Sequence, residues 1–251
     1  MTWIDLDGAV NARDLGGLPT VDGRATRPGV LLRSDNLQDL SARDVTTLVG
    51  HGLGTVLDLR TAAEVELLGP GPLHEADVRH VHLDLIPHGF DGEPPMARAI
   101  PDESAGEHAM DHVYLDYVRD APGGIADGLR TLADPRSKGV LVHCAAGKDR
   151  TGVFVAVALT LVGVHRDAVV ADYARTDERI AAVRDRLIAT PLYSDIVSAR
   201  PLEALRPHAG NMARFLDRID AEYGGMHGFA MAIGIDEETV ARLSRRLLGA
   251  Y

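Results

Sequence analysis

Cysteine is nearly absent from this chain. Cys144 is the single one in 251 residues, so no internal disulfide framework exists, and a reducing compartment suits such a chain. Basic side chains are outnumbered, 26 Lys and Arg against 37 Asp and Glu, for a formal net charge of -11. An acidic body gains nothing from counterion release on DNA or RNA, which argues against general nucleic-acid binding. It is also repelled by anionic lipid unless a local basic patch intervenes. The opening Met1-Thr2-Trp3-Ile4-Asp5-Leu6-Asp7 has neither the basic nor the apolar region of a secretory signal. The longest apolar stretch, 153–164, is broken by Thr160 and Gly163 and is too short to span a bilayer. The expected location is cytoplasmic, with signal-less export left open. No His-Glu-x-x-His string occurs. His80 with His82, or His108 with His112, could supply two zinc ligands, but eleven histidines produce such pairs by chance. No metal and no cofactor is expected.

What is present is an ordinary globular composition, 45% hydrophobic and 25% charged, in a chain long enough to bury a real core. Short apolar runs at 29–32, 55–59, 78–85 and 139–143 predict strands. The second and fourth are nearly continuous hydrophobes, as for strands covered on both faces. Ser41 with Asp44 forms a capping box ahead of Val45 and Leu48. Further helices are expected at 61–68, 107–119, 124–133, 148–162, 169–174, 177–188, 202–223 and 236–248. Alternating strands and helices in the first 165 residues predict an α/β fold, a mostly parallel sheet flanked by helices, with extra helices following. Nothing reads as a linker, so 1–251 is expected to be one domain. The segment 88–106 is Gly-, Pro-, Asp- and Glu-rich, and too long for a plain connection.

The stretch with chemistry in it is His143-Cys144-Ala145-Ala146-Gly147-Lys148-Asp149-Arg150-Thr151-Gly152, set between a buried strand and an apolar helix. A loop entering a helix N-terminus aims several backbone N–H groups at one point, and that nest binds a dianion. Ala145, Ala146 and Gly147 are small enough for the backbone to wrap a phosphate. Arg150, six residues after the cysteine, can grip two phosphate oxygens with its planar fork. The same nest stabilises a thiolate, and a thiolate beside a bound phosphate is a nucleophile aimed at phosphorus. Thr151 can give its hydroxyl to the sulfur when the thiolate later leaves. The implied reaction is hydrolysis of a phosphate monoester in two displacements at Cys144. His143 is expected to orient the loop through a ring hydrogen bond. A nucleotide-binding loop is ruled out, because Val142 stands where Gly-x-x-x-x-Gly-Lys-Ser/Thr needs its first Gly, and Asp149 where it needs Ser or Thr.

The string resembles the signature of the protein tyrosine phosphatases, and the Gly147-Lys148-Asp149-Arg150-Thr151-Gly152 variant resembles the bacterial atypical members of that family. Asn11-Ala12-Arg13-Asp14-Leu15-Gly16-Gly17 is similar to the family's N-terminal motif, with Ala12 where Phe is common. Leu32-Arg33-Ser34, Asp58-Leu59-Arg60, Ala171-Asp172-Tyr173 and Tyr223-Gly224-Gly225 match as well. The resemblance implies a dual-specificity-phosphatase-like fold with a four- or five-stranded sheet and extra C-terminal helices. It implies action on phosphoproteins, phosphotyrosine first, with phosphoserine, phosphothreonine and phosphoinositides in reach. It also implies that helices beyond Asp177 can act as a movable lid.

Departing oxygen needs a proton. The resemblance places the donor just after strand 78–85, where His88 stands, between Asp84 and Asp91. Asp91 is the choice, in a Gly-rich loop that can swing; Asp84 and His88 are alternatives. Lys148 and Asp149 either meet substrate head groups, as the family implies, or face solvent and counter each other. Ala145, Ala146, Gly147 and Thr151 complete the expected substrate contacts. Arg13 and Asp14 are expected to brace the site. Arg60 and Glu64, four apart, are expected to pair on a helix surface. Two rivals remain: a phosphatase of a small phosphorylated metabolite, and a phosphate-binding pseudophosphatase without turnover.

Overall fold

The computed structural model describes residues 2–86 and 109–249. The expected acid Asp91 and its alternative His88 lie outside them, as does the segment 88–106. Six strands form one sheet: β1 (Thr2–Trp3), β2 (Arg13–Asp14), β3 (Leu31–Ser34), β4 (Leu53–Asp58), β5 (Arg79–His82) and β6 (Gly139–His143), in the order β1-β2-β3-β6-β4-β5. β3, β6, β4 and β5 are mutually parallel, while β1, β2 and β3 pair antiparallel. The four parallel strands are those the apolar runs predict. β1 and β2 are two residues each, too short to leave a periodic signal.

The inner strands are hydrophobic on both faces because each face has its own core. Side chains alternate across a strand, so Leu31, Leu57, Val140 and Val142 join the larger core, and Leu32, Val56 and Leu141 the smaller. Leu53 shares the smaller core with Val56, three residues on, because the β4–β6 register shifts between Leu53 and Thr55.

The smaller core lies under α1 (Ala42–Gly50), whose Ser41–Asp44 capping box forms as expected. α2 (Ala62–Leu68) begins with a second capping box, Thr61 with Glu64. The larger core is built by α3 (Ala109–Asp120), α4 (Pro122–Ala133), α5 (Asp149–Leu161) and α6 (Arg166–Ala174), together with apolar residues of the last three helices such as Phe215, Phe229 and Leu243. α5 is apolar almost all round and buried from Asp149 to Leu159, as suits a helix enclosed by others.

The C-terminal half is more divided than its pattern suggests. α7 (Ile180–Ala189) stops before Pro191, which opens α8 (Pro191–Ser198) at its first turn. The expected helix 202–223 is split at Pro207 into a 3-10 turn (Leu202–Leu205) and α9 (Ala209–Tyr223). α10 (Met226–Ala232) and α11 (Glu237–Leu248) follow. No helix among the described residues is long and apolar enough to cross a membrane.

Candidate active site

β6 is the central strand, and Cys144 follows its last residue. Ligand sites in parallel sheets lie at the carboxyl ends of the strands. Here the ends of β3 and β4 flank that of β6, with Ser34 and Asp58 both in register with His143. The chain then turns through 144–148 into α5.

The loop's carbonyls are all turned outward. The Asn36 amide donates to the Ala145 carbonyl at 3.1 Å. Asn11 Nδ2 donates to the carbonyls of Ala146 (3.0 Å) and Gly147 (3.3 Å). Arg33 Nη2 donates to the Gly147 carbonyl at 2.6 Å. With the carbonyls so held, the amides of 145–151 are left without a protein acceptor among the described residues. Gly147 sits at φ +64, and a Cβ there would lie 2.3 Å from the Ser34 carbonyl oxygen, so this turn admits glycine alone.

The braces are ionic and buried. Asp172 takes Arg13 Nε at 2.8 Å and Arg33 Nη1 at 2.6 Å, with every side chain 1% exposed or less. Burial works against the Asp172 carboxylate, but the two guanidiniums overcome it and hold it below its usual range. Arg13 also reaches Asn11 Oδ1 at 2.6 Å. Four of the short motifs, around Asn11, Arg33, Asp58 and Asp172, therefore converge on one loop. Asp14 braces a turn instead, accepting from the amides of Gly16 and Gly29.

Arg150 is held by Glu64. Nη1 lies 2.5 Å from Oε2 and Nη2 3.0 Å from Oε1, a bidentate pair inside the protein. Arg150 Nη1 also donates to the Leu59 carbonyl at 3.3 Å. A guanidinium has five N–H groups, so Nε–H and one Nη2–H remain for a ligand. Burial would raise the Glu64 carboxyl, yet Arg150 pushes it down to about 2. This corrects the expected surface pair: Arg60 instead clamps Asp58, with Nη2 2.5 Å from Oδ2, and Glu64 turns inward. A four-residue spacing on one helix cannot reveal a partner 86 residues away.

His143 is enclosed, with Nδ1 3.4 Å from the Cys144 carbonyl oxygen and Nε2 3.5 Å from Asp58 Oδ1. Burial lowers its pKa to about 4, against the pull of Asp58. The unfolded chain, titrating near 6.5, therefore takes up this proton first. The stability involved is whole above about pH 6.5 and is lost as the pH falls toward 4, about 3 kcal/mol in all. Glu64 adds its own loss only below about 4.5. Melting temperatures from pH 4 to 7 check this: His143→Asn is expected to flatten the slope in that window. Equal slopes in wild type and variant would place the titration elsewhere.

Lys148 and Asp149 both turn inward. Lys148 Nζ donates to the Leu205 carbonyl at 2.6 Å and lies 3.7 Å from Asp149 Oδ2. Asp149 Oδ1 accepts from Tyr114 Oη at 2.6 Å, and Tyr114 meets the Tyr173 hydroxyl at 2.7 Å. Neither side chain faces solvent. Thr151 Oγ1 is buried with no hydrogen-bond partner among the described residues. Asp84 accepts from the amides of Ala62 (3.0 Å) and Ile86 (2.7 Å), a backbone-capping role.

Cys144 is 2% exposed. The cover above the loop comes from the C-terminal helices: Ala145 and Ala146 pack with Ile180, Val183 and Leu187 of α7 and with Tyr193 and Val197 of α8. Polar ties also hold this cover, besides that of Lys148 to the Leu205 carbonyl. Tyr193 donates to Glu64 Oε1 at 2.8 Å, and Arg186 Nε lies 3.1 Å from Asp35 Oδ2.

Residues 4–249 match the tyrosine phosphatase family. The chain belongs to that family. The triple specificity protein phosphatase PtpB of Mycobacterium tuberculosis is 33% identical over 98% of this chain and 99% of its own. A tyrosine-protein phosphatase of Nostoc commune is 28% identical over 91% of this chain and 78% of its own. A solved structure, Pseudomonas aeruginosa TpbA, overlays on 74% of this chain and 90% of its own at 20% identity with a TM-score of 0.33, too loose a fit to add to the assignment. This tyrosine phosphatase family member is thus a phosphatase whose single cysteine stands at the mouth of α5.

Proposed function

We propose that the protein hydrolyses phosphate monoesters through a cysteinyl-phosphate intermediate, with protein phosphotyrosine as the main substrate. Phosphoserine, phosphothreonine and phosphoinositides belong to the same reading. Cys144 Sγ attacks phosphorus, the S–P bond forms and the bond to the alcohol or phenol oxygen breaks. Asp91 gives that oxygen its proton. Water then attacks phosphorus, inorganic phosphate leaves and the thiolate returns, with Thr151 donating to the sulfur. The amides of Ala145, Ala146, Gly147, Lys148 and Asp149, with the free edge of Arg150, hold the equatorial oxygens in both steps. A reducing cytoplasm suits a reaction that needs its only cysteine as a free thiol.

One observation carries the reading furthest. Every carbonyl of 145–147 is pinned outward by a donor of its own, so the loop's backbone offers an anion N–H groups and no opposing oxygen. The family implies a movable lid, and the packing of α7 and α8 over Ala145 and Ala146 supports that role here.

A panel of phosphotyrosine and phosphoserine peptides, phosphoinositides, and phosphorylated sugars and nucleosides tests the proposal. Phosphate release is expected to be fastest, by kcat/KM, from the phosphotyrosine peptides. Preference for a sugar or nucleoside phosphate would make this a metabolite phosphatase. Binding of inorganic phosphate with no release from any ester would leave a phosphate-binding module.

A further inference from the structure

Tyr117 lies on α3, one helical turn beyond Tyr114, and α3 packs against the loop's own helix, α5. The two rings are stacked with centroids 6.1 Å apart. Their hydroxyls differ sharply. Tyr114 donates to Asp149 Oδ1 and meets the Tyr173 hydroxyl. The Tyr117 hydroxyl is buried, on a residue 1% exposed, and has no hydrogen-bond partner among the described residues. Burying a hydroxyl unpaired costs free energy, and such orphans are few in native proteins. Packing alone would be served as well by phenylalanine, which has no polar atom to bury.

The surroundings of this hydroxyl supply a reason for it. The charged groups that act on it are Asp149, Arg150, Cys144 and Glu64. Arg150 in turn feels Tyr117 after Glu64 and Cys144. These are the carboxylate that the stacked neighbour Tyr114 touches, the loop's guanidinium, its nucleophile and the carboxylate that anchors the guanidinium. Burial, reinforced by Asp149, pushes the phenol's ionisation well above its ordinary value. At neutral pH Tyr117 therefore keeps its proton and is available as a donor. The loop's free amides and the free edge of Arg150 await the same kind of ligand, an oxyanion.

We propose that Tyr117 is a binding residue of this site, its hydroxyl donating a hydrogen bond to a non-bridging oxygen of the phosphoryl group held by the loop 144–150. This rests on the phosphatase reading above and extends it to a residue outside the signature. The tyrosine makes and breaks no covalent bond. It contributes a neutral donor from the side of α3, where the other ligand-facing donors come from the loop and α5.

Tyr117→Phe in the full chain tests this, with inorganic phosphate as the probe in calorimetry and the melting temperature of the phosphate-free protein measured beside it. Phosphate affinity is expected to weaken by about ten- to a hundredfold, the range for a hydrogen bond to a charged partner. The phosphate-free melting temperature is expected to stay level or rise, because the lost hydroxyl held nothing. Tyr114→Phe, whose hydroxyl has two partners, is expected to melt lower. Unchanged phosphate affinity in Tyr117→Phe, with the wild type binding phosphate, would overturn the assignment and leave the phosphatase reading intact. A Tyr117→Phe protein that melts early or does not fold would also overturn it, by showing the hydroxyl to be structural. Failure of the wild type both to bind phosphate and to release it from any ester would sink the two readings together.

Discussion

Cys144→Ser is expected to lower turnover by at least about a thousandfold while the protein still folds and binds inorganic phosphate. A serine hydroxyl fits the space of the thiol but is a poor nucleophile without a base to activate it. Knockouts of covalent nucleophiles elsewhere cost several orders of magnitude in kcat. The phosphate contacts assigned here belong to the loop amides and Arg150, whose positions are set by Asn11, Arg33 and Glu64 rather than by the sulfur. Single-turnover assays on a phosphotyrosine peptide, paired with phosphate calorimetry, measure the two effects separately. Activity within tenfold of wild type would remove the cysteinyl-phosphate intermediate from consideration.

Arg150→Lys is expected to lower kcat by about 10²–10³-fold, the scale for loss of one preorganised donor to a developing oxyanion. Charge is conserved in this change, so what is tested is geometry. An ammonium cannot occupy both Glu64 oxygens and present a second edge to a ligand. The same variant is expected to melt below wild type, because Glu64 is 1% exposed and loses half of a bidentate partner. Removing the charge altogether, as in Arg150→Met, is expected to cost more stability, about 3–5 kcal/mol, since a buried carboxylate is then left uncompensated. A change confined to KM would mean that Arg150 binds ground and transition states alike, contrary to the mechanism proposed.

The two residues show how far the sequence could be read. Cys144 and Arg150 sit in one short string whose setting, a buried strand and then an apolar helix, is itself visible in the hydrophobic pattern. β4 and β6 are legible because both their faces are buried, so their apolar runs are nearly unbroken. Glu64 was hidden for a different reason. Its neighbour Arg60 offers a plausible local partner, and only the fold brings Arg150 within 2.5 Å. Short motifs contain Asp172 and Arg13, yet nothing in those motifs says that they meet across 159 residues. Proline marks a break that the hydrophobic pattern alone runs through, at Pro207 within the expected helix 202–223.

The ceiling that α7 and α8 place over Ala145 and Ala146 has a kinetic corollary. On the lid role proposed for those helices, Cys144, 2% exposed, receives a phosphoester in the molecules whose ceiling has shifted. Observed affinity is then the intrinsic one diminished by the fraction of such molecules. Anything that loosened those helices, a partner, a lipid surface or a substitution, would register in assays as an activator without touching the reacting atoms.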